Sequence, residues 1–115
     1  HITRNAEASL QSIGCQPENI IAAVGPCISV QHYEVGPEVV EIFLREFGEN
    51  TVQRRNERWY VNLPAACALS MIKSGVIPEH ITLSGLCTYE DATLFYSHRR
   101  DSGRTGAMAS VIELI

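Results

Sequence analysis

The side chains of this chain best suited to chemistry fall in residues 95–106, Phe-Tyr-Ser-His-Arg-Arg-Asp-Ser-Gly-Arg-Thr-Gly. Arg99, Arg100 and Arg104 put three of the nine Lys and Arg residues within six positions. Guanidinium groups take phosphate or carboxylate through forked N–H donors. Gly103 and Gly106 let backbone N–H groups approach a ligand closely. The stretch therefore suits an anion such as phosphate. A solvated basic loop, its arginines paired with an acidic surface, is the other reading these residues allow. Asp101 is placed to orient Arg99 or Arg100 through a bidentate pair.

Two further groups carry chemistry. Gly25-Pro26-Cys27 is followed closely by His32 and Tyr33, a set that could supply a nucleophile or half a metal site. Cys87-Thr88-Tyr89-Glu90-Asp91 sets two carboxylates side by side. Such a pair shares protons, binds a cation or caps the element that follows. No complete catalytic triad, metal-ligand cluster of known spacing or nucleotide fingerprint is legible. The four cysteines, Cys15, Cys27, Cys67 and Cys87, form no C-x-x-C pair. Buried, reduced thiols are the expectation for each.

These residues need elements to position them. Ile2, Ala6, Leu10 and Ile13 recur at helical spacing, which predicts a helix over 2–13 stopped by Gly14, with Arg4, Glu7 and Gln11 on its other faces. The apolar run 20–24, bounded by Pro17 and Gly25-Pro26, predicts a buried strand and then a sharp turn. Residues 29–35 read as polar and exposed. Gly36-Pro37 opens a second helix with Val39, Val40, Phe43, Leu44 and Phe47 as its stripe, ended by Gly48. Residues 49–58 lack an apolar period and read as a loop, and 59–61 as a short strand. Asn62 caps a third helix over 64–74 that packs Ala66, Cys67 and Met71 and is stopped by Gly75. Residues 107–115 read as a terminal strand.

The pattern repeats. Helix, Gly, Pro-Glu, strand, Gly, one residue, Cys occurs through Pro17-Glu18 to Cys27, and again through Pro78-Glu79 to Cys87. Tyr33-Glu34 and Tyr89-Glu90 follow the two copies. A repeat of about sixty residues predicts two strands in one sheet with helices on its faces. Both cysteines then lie just past strand ends, where open sheets place ligands. The fold class expected is mixed α/β (α+β), a β-sheet covered by helices with a weak internal helix–strand repeat.

A chain of 115 residues is at most one domain. Its net charge of −4 argues against non-specific nucleic-acid binding. No apolar run reaches membrane-span length. The expectation is a soluble, cytoplasmic chain with neither nucleic acid nor membrane as partner.

Five ordered motifs carry a family resemblance. They are Ala23-Val24-Gly25-Pro26-Cys27-Ile28, Tyr33-Glu34-Val35, Cys87-Thr88-Tyr89, Phe95-Tyr96-Ser97-His98-Arg99-Arg100-Asp101 and Thr105-Gly106-Ala107-Met108-Ala109-Ser110. Together they resemble the C-terminal half of the YfiH family, also called laccase-domain or multicopper polyphenol oxidoreductase-like proteins. The resemblance implies a zinc-dependent purine nucleoside phosphorylase with adenosine deaminase and methylthioadenosine phosphorylase side activities. Its substrates are a purine nucleoside and phosphate. The family's metal and catalytic residues belong to the N-terminal half, in Val-His-Gly, Ala-Asp-Cys and His-Ala-Gly-Trp-Arg-Gly settings. By this resemblance residues 1–115 are the C-terminal portion of a single YfiH-like domain. They hold no catalytic residue or zinc ligand, partner the N-terminal half and are inactive alone. Arg99, Arg100, Arg104, Gly25 and Cys27 are the expected substrate-binding residues. Ala107 stands where the family commonly has Arg, and Arg104 is a substitute charge. Two alternatives stay open: a laccase-like copper polyphenol oxidase, and a degenerate, non-catalytic binding module.

Overall fold

Caps set the helix boundaries. In the computed structural model, which describes residues 2–113, α1 spans Ile2–Ser12, α2 Pro37–Phe47 and α3 Leu63–Lys73. Asn62 accepts the Ala65 N–H at 3.1 Å on its side-chain oxygen, and Pro64 sits in the first turn of α3, where a missing N–H costs no helical bond. Glu38 in the first turn of α2 and Arg45 in its last turn complement the helix dipole. Among the described residues no helix is long and apolar enough to cross a membrane.

Five strands make two small sheets. β1 (Ala22–Val24) pairs in parallel with β5 (Ile81–Leu83), Ala22 opposite Ile81 and Val24 opposite Leu83. β2 (Glu34–Val35), β4 (Arg58–Val61) and β3 (Val52–Arg55) form an antiparallel sheet in the order β2-β4-β3. The core gathers Val40, Val61, Ala66, Met71 and Val76 between these sheets and helices.

The internal repeat is real in three dimensions. α1 and α3 are both eleven residues long. Each ends in a left-handed glycine, Gly14 at φ +99° and Gly75 at φ +104°. Past each glycine the same long bond closes the helix: Cys15 N–H to Leu10 O and Val76 N–H to Met71 O, both 3.1 Å. This is the Schellman pattern, which needs the positive φ that glycine adopts without a Cβ clash. A 3₁₀ turn follows each, Pro17–Asn19 and Pro78–His80, then the strand. Past the strands, Cys27 and Cys87 oppose one another in a parallel bridge. The two units lean together. A histidine ring nitrogen of His80 lies 3.2 Å from Ile20 O, and a Cβ on Gly75 would come within 2.9 Å of Pro17 Cβ.

Several expectations need correction. The strand after Pro17 is not buried: Ile21 is 81% exposed and β1 is only half-buried, because it has a single ladder partner, β5. Residues 29–35 are mostly half-buried rather than exposed, and 34–35 form β2. Residues 49–58 are not a loop: a 3₁₀ turn, Glu49–Thr51, leads into β3, which joins β4 through Asn56 and Glu57, both at positive φ. Gln53, Arg54 and Arg55 are exposed, so this edge strand has no apolar alternation to read. Its stickiness comes from guanidinium groups over rings, Arg54 over Trp59 at 5.2 Å and Arg55 over Tyr60 at 3.9 Å. Residues 107–113 are irregular and exposed, with no ladder partner among the described residues; positions 114 and 115 of that expected strand lie outside them. A strand without a partner leaves its backbone groups to water and gains nothing over irregular chain. The stripe of α1 faces outward, with Ile2 81% and Ile13 77% exposed, while Glu7 on its supposed polar side is 5% exposed. α3 packs against that side, so burial follows the neighbour rather than the apolar stripe. Finally, only Cys87 is buried; Cys27 and Cys67 are half-buried, Cys15 is exposed, and all four are free thiols.

Candidate functional site

Two parallel strands that stop together leave a recess at their carboxyl ends. A cavity of about 240 Å³ lies there, lined by Gly25, Cys27 and Ser29 after β1 and by Ser84, Gly85 and Leu86 after β5. Asn62 and Pro64 at the start of α3 close one side. The walls are mostly apolar with a few polar groups, as a small-molecule recess requires. Ser29 Oγ is buried and has no hydrogen-bond partner among the described residues. Gly85, at φ +71°, turns the chain out of β5.

A parallel bridge joins Cys27, on the cavity wall, to Cys87 on the neighbouring strand end. Cys27 N–H reaches Leu86 O at 3.4 Å and Thr88 N–H reaches Cys27 O at 3.1 Å. Cys87 Sγ accepts the Ser29 N–H at 3.3 Å. Burial pushes the Cys87 thiol up, but donors from Ser29, Glu90 and Tyr89 outweigh it and hold the group below its ordinary value. Burial, with the neighbouring Cys67 and Cys87 sulfurs, pushes Cys27 the other way, above its ordinary value.

The three arginines have different surroundings. All five N–H donors of Arg100 are engaged: Nη1 on Thr88 O and Tyr89 O, Nη2 on Phe95 O, and a bidentate pair from Nε and Nη2 to Asp101, both 3.1 Å. The bidentate pair expected of Asp101 is therefore made with Arg100. That side chain staples its own loop. Arg99 donates to Glu34 O at 2.7 Å and lies over the Tyr33 ring at 5.2 Å. With Tyr33, Tyr96, His98 and Met108 it lines a separate, open recess of about 330 Å³. Arg104 is exposed on the turn that follows. Gly25 and Cys27 thus share one cavity, and the arginines do not enter it.

Several residues were not legible as partners. The His32 ring stacks on Tyr89 with centroids 4.4 Å apart, and its Nε2 lies 2.9 Å from Glu90 Oε1. Sequence grouped His32 with Cys27 and Glu90 with Asp91, whereas folding joins His32 to Glu90. The doubled Tyr-Glu pair after each Cys was the available signal. Asp91 caps instead, accepting from Thr93 Oγ1 and Leu94 N–H. Arg55 donates to Val30 O and Gln31 O, clamping the loop past Cys27 as Arg100 clamps the loop past Cys87. No three His, Cys, Asp or Glu side chains among the described residues converge as a metal set. The described residues therefore do not fit a zinc or copper site.

A duplicated helix–strand unit with a recess at paired strand ends defines a mixed α/β fold. The chain belongs to the multi-copper polyphenol oxidoreductase laccase family, whose model matches residues 1–115. It is 37% identical over 103 residues to the purine nucleoside phosphorylase YlmD of Bacillus subtilis, covering 86% of this chain and 37% of that protein. To the purine nucleoside phosphorylase YfiH of Escherichia coli it is 32% identical over 111 residues, covering 95% of this chain and 44% of that protein. The crystal structure of YlmD from Geobacillus stearothermophilus matches with a TM-score of 0.84 at 30% identity, over 91% of this chain and 41% of that chain. The chain thus spans about two-fifths of the length of the relatives it matches.

Proposed function

We propose that this chain is one part of a purine nucleoside phosphorylase, in which phosphate attacks the anomeric carbon, the C–N glycosidic bond breaks and the purine leaves. The observation that carries the reading is its identity, over most of its length, to proteins named purine nucleoside phosphorylases. Adenosine and inosine are the proposed substrates, with adenosine deamination as a side activity, and the cytoplasm is the proposed site of action. The strand-end recess with Gly25 and Cys27 is the proposed wall of the nucleoside site. Arg99 and Arg104, whose donors are not all engaged by backbone carbonyls, are the proposed phosphate contacts; Arg100 supports them by fixing the loop. Zinc ligands belong to the remaining three-fifths of the relatives' length, and so do the catalytic groups. That remainder covers the outward stripe of α1 and the chain after it, since Ile2 on the helix, Ile13 just past it and Ile21 before β1 are otherwise large apolar groups left in water.

The test is hypoxanthine release from inosine with phosphate and zinc, run on this chain alone and on the chain joined to the remainder of a relative. Release by the joined protein only is expected. Turnover by the chain alone sinks the division of labour. The family model's description favours a second reading, copper-dependent phenol oxidation. A joined protein that oxidises a phenol with copper and leaves inosine intact selects that one.

A further inference from the structure

A pair of thiols stands where the two parallel strands end, Cys27 on the wall of the strand-end cavity and Cys87 opposite it on the neighbouring strand. Cys27 and Cys87 are direct partners across a parallel bridge, locked by the Cys27 N–H to Leu86 O and Thr88 N–H to Cys27 O bonds. Opposed residues of neighbouring strands project to the same face, and strands lie about 4.8 Å apart. That spacing falls inside the range of about 4.4–6.8 Å between Cα atoms that a disulfide spans. Cys87 Sγ also leans toward the Cys27 strand, since it accepts the N–H of Ser29 at 3.3 Å. The two residues border different recesses. Cys27 lines the strand-end cavity, and Cys87 lines a shallow recess with Glu90, Asp91 and Thr93.

We propose that Cys27 and Cys87 are a redox-active dithiol that hydroperoxides convert to a disulfide between the two strand ends, beside the cavity. The Cys87 thiolate attacks one peroxide oxygen, the O–O bond breaks, and the other oxygen leaves as alcohol or water after taking a proton. Cys87 is then a sulfenic acid. The Cys27 sulfur attacks it, the S–O bond breaks, and hydroxide leaves with the Cys27 proton as water. Two thiols are oxidised and one hydroperoxide is reduced. The Ser29 side chain and the backbone donors of Glu90, Ser29 and Tyr89, which favour the Cys87 thiolate, together with the Ser29 N–H on its sulfur at 3.3 Å, assign it the attacking role, and the raised Cys27 thiol resolves. The product ties Gly25-Pro26-Cys27 to Leu86-Cys87, the two ends that wall the cavity. This inference is independent of the phosphorylase reading.

The test is hydrogen peroxide treatment of the protein carrying Cys15→Ser, which removes the exposed thiol, then alkylation and tryptic mapping. Cys27 lies in residues 5–45, Cys67 in 59–73 and Cys87 in 74–99. A linked 5–45 and 74–99 pair, lost on reduction, is expected. Cys27→Ala, checked for folding by circular dichroism, must abolish the link and leave Cys87 as a sulfenic acid that dimedone traps. The proposal is overturned if both peptides stay separate, with their thiols alkylated or over-oxidised. A link running only to 59–73 overturns it too, as does a Cys27→Ala protein whose Cys87 gives no dimedone adduct.

Discussion

The unit from α1 to Cys27 and the unit from α3 to Cys87 share a backbone and differ in surroundings. Helix length, left-handed glycine, closing bond, 3₁₀ turn and strand coincide. Burial does not. Val76 is 2% exposed, while Cys15 at the matching position is open to solvent. Met71 is buried, and its counterpart Leu10 is not. Gly75 is pressed against Pro17, and a Cβ on Gly14 would meet nothing within 4 Å. The second unit has the first as its neighbour; the first turns its matching surface outward. Caps and turn residues act within a few residues of chain and specify the unit wherever it stands. Packing depends on what stands next to it.

Each unit is followed by an arginine clamp, and breaking the clamps gives the largest expected effect. Arg100→Ala strips donors from three part-buried carbonyls and should cost about 3 kcal/mol. Arg55→Ala releases the exposed carbonyls of Val30 and Gln31 and should cost under about 1 kcal/mol. Urea unfolding of the two variants checks the ranking; equal losses would show that the clamps are equivalent after all.

Substituting the two glycines isolates packing from backbone strain. Gly14→Ala meets only its positive φ and should lose about 1–2 kcal/mol. Gly75→Ala adds the Pro17 contact and should lose about 1 kcal/mol more. Matching thermal midpoints for the two variants would mean that Pro17 moves aside freely.

Glu7 sharpens the contrast further, because Ala68 occupies the matching position in α3. The Glu7 carboxylate is buried, with no hydrogen-bond partner among the described residues. Glu7→Met keeps the volume, removes the stranded polar group and should gain about 1 kcal/mol in the same unfolding assay. A loss would reveal a partner for that carboxylate.

The two cysteines give the smallest effect, read as pH dependence. Cys87 is held below the ordinary 9.0 and Cys27 is pushed above it. Cys87 should therefore be alkylated with a midpoint below 9.0 and Cys27 with one above. In stability the signs oppose. The Cys87 contribution is fully present above 9.0 and is lost as pH falls through its lowered value. The Cys27 contribution is present below 9.0 and is lost as pH rises through its raised value. Site-resolved alkylation from pH 7 to 10, a range of about three units around these values, separates them; coincident midpoints would contradict the asymmetry.

The duplicated unit was legible because its signals are local. Gly14, Pro17, Gly75 and Pro78 punctuate the chain at positions where only certain residues fit. The Asn62 cap and the Pro37 start were legible for the same reason. β3 was hidden because its side chains are polar and its pairing is long-range. The outward turn of α1 was hidden because an apolar stripe says that a face wants a partner, not that this chain supplies one. At the site, the Cys-bearing strand ends followed from the repeat. The division of roles between Arg99 and Arg100 did not, because backbone carbonyls of Glu34, Thr88 and Phe95, invisible in residue types, decide it.

The central contrast, one unit with its apolar helix face covered and one with that face open, is tested most directly by amide hydrogen exchange of α1 and α3. In this chain alone, α1 amides should exchange faster than those of α3. Joined to the remainder of a relative, α1 should slow to the level of α3. Equal protection in the chain alone, or no change on joining, would contradict the account.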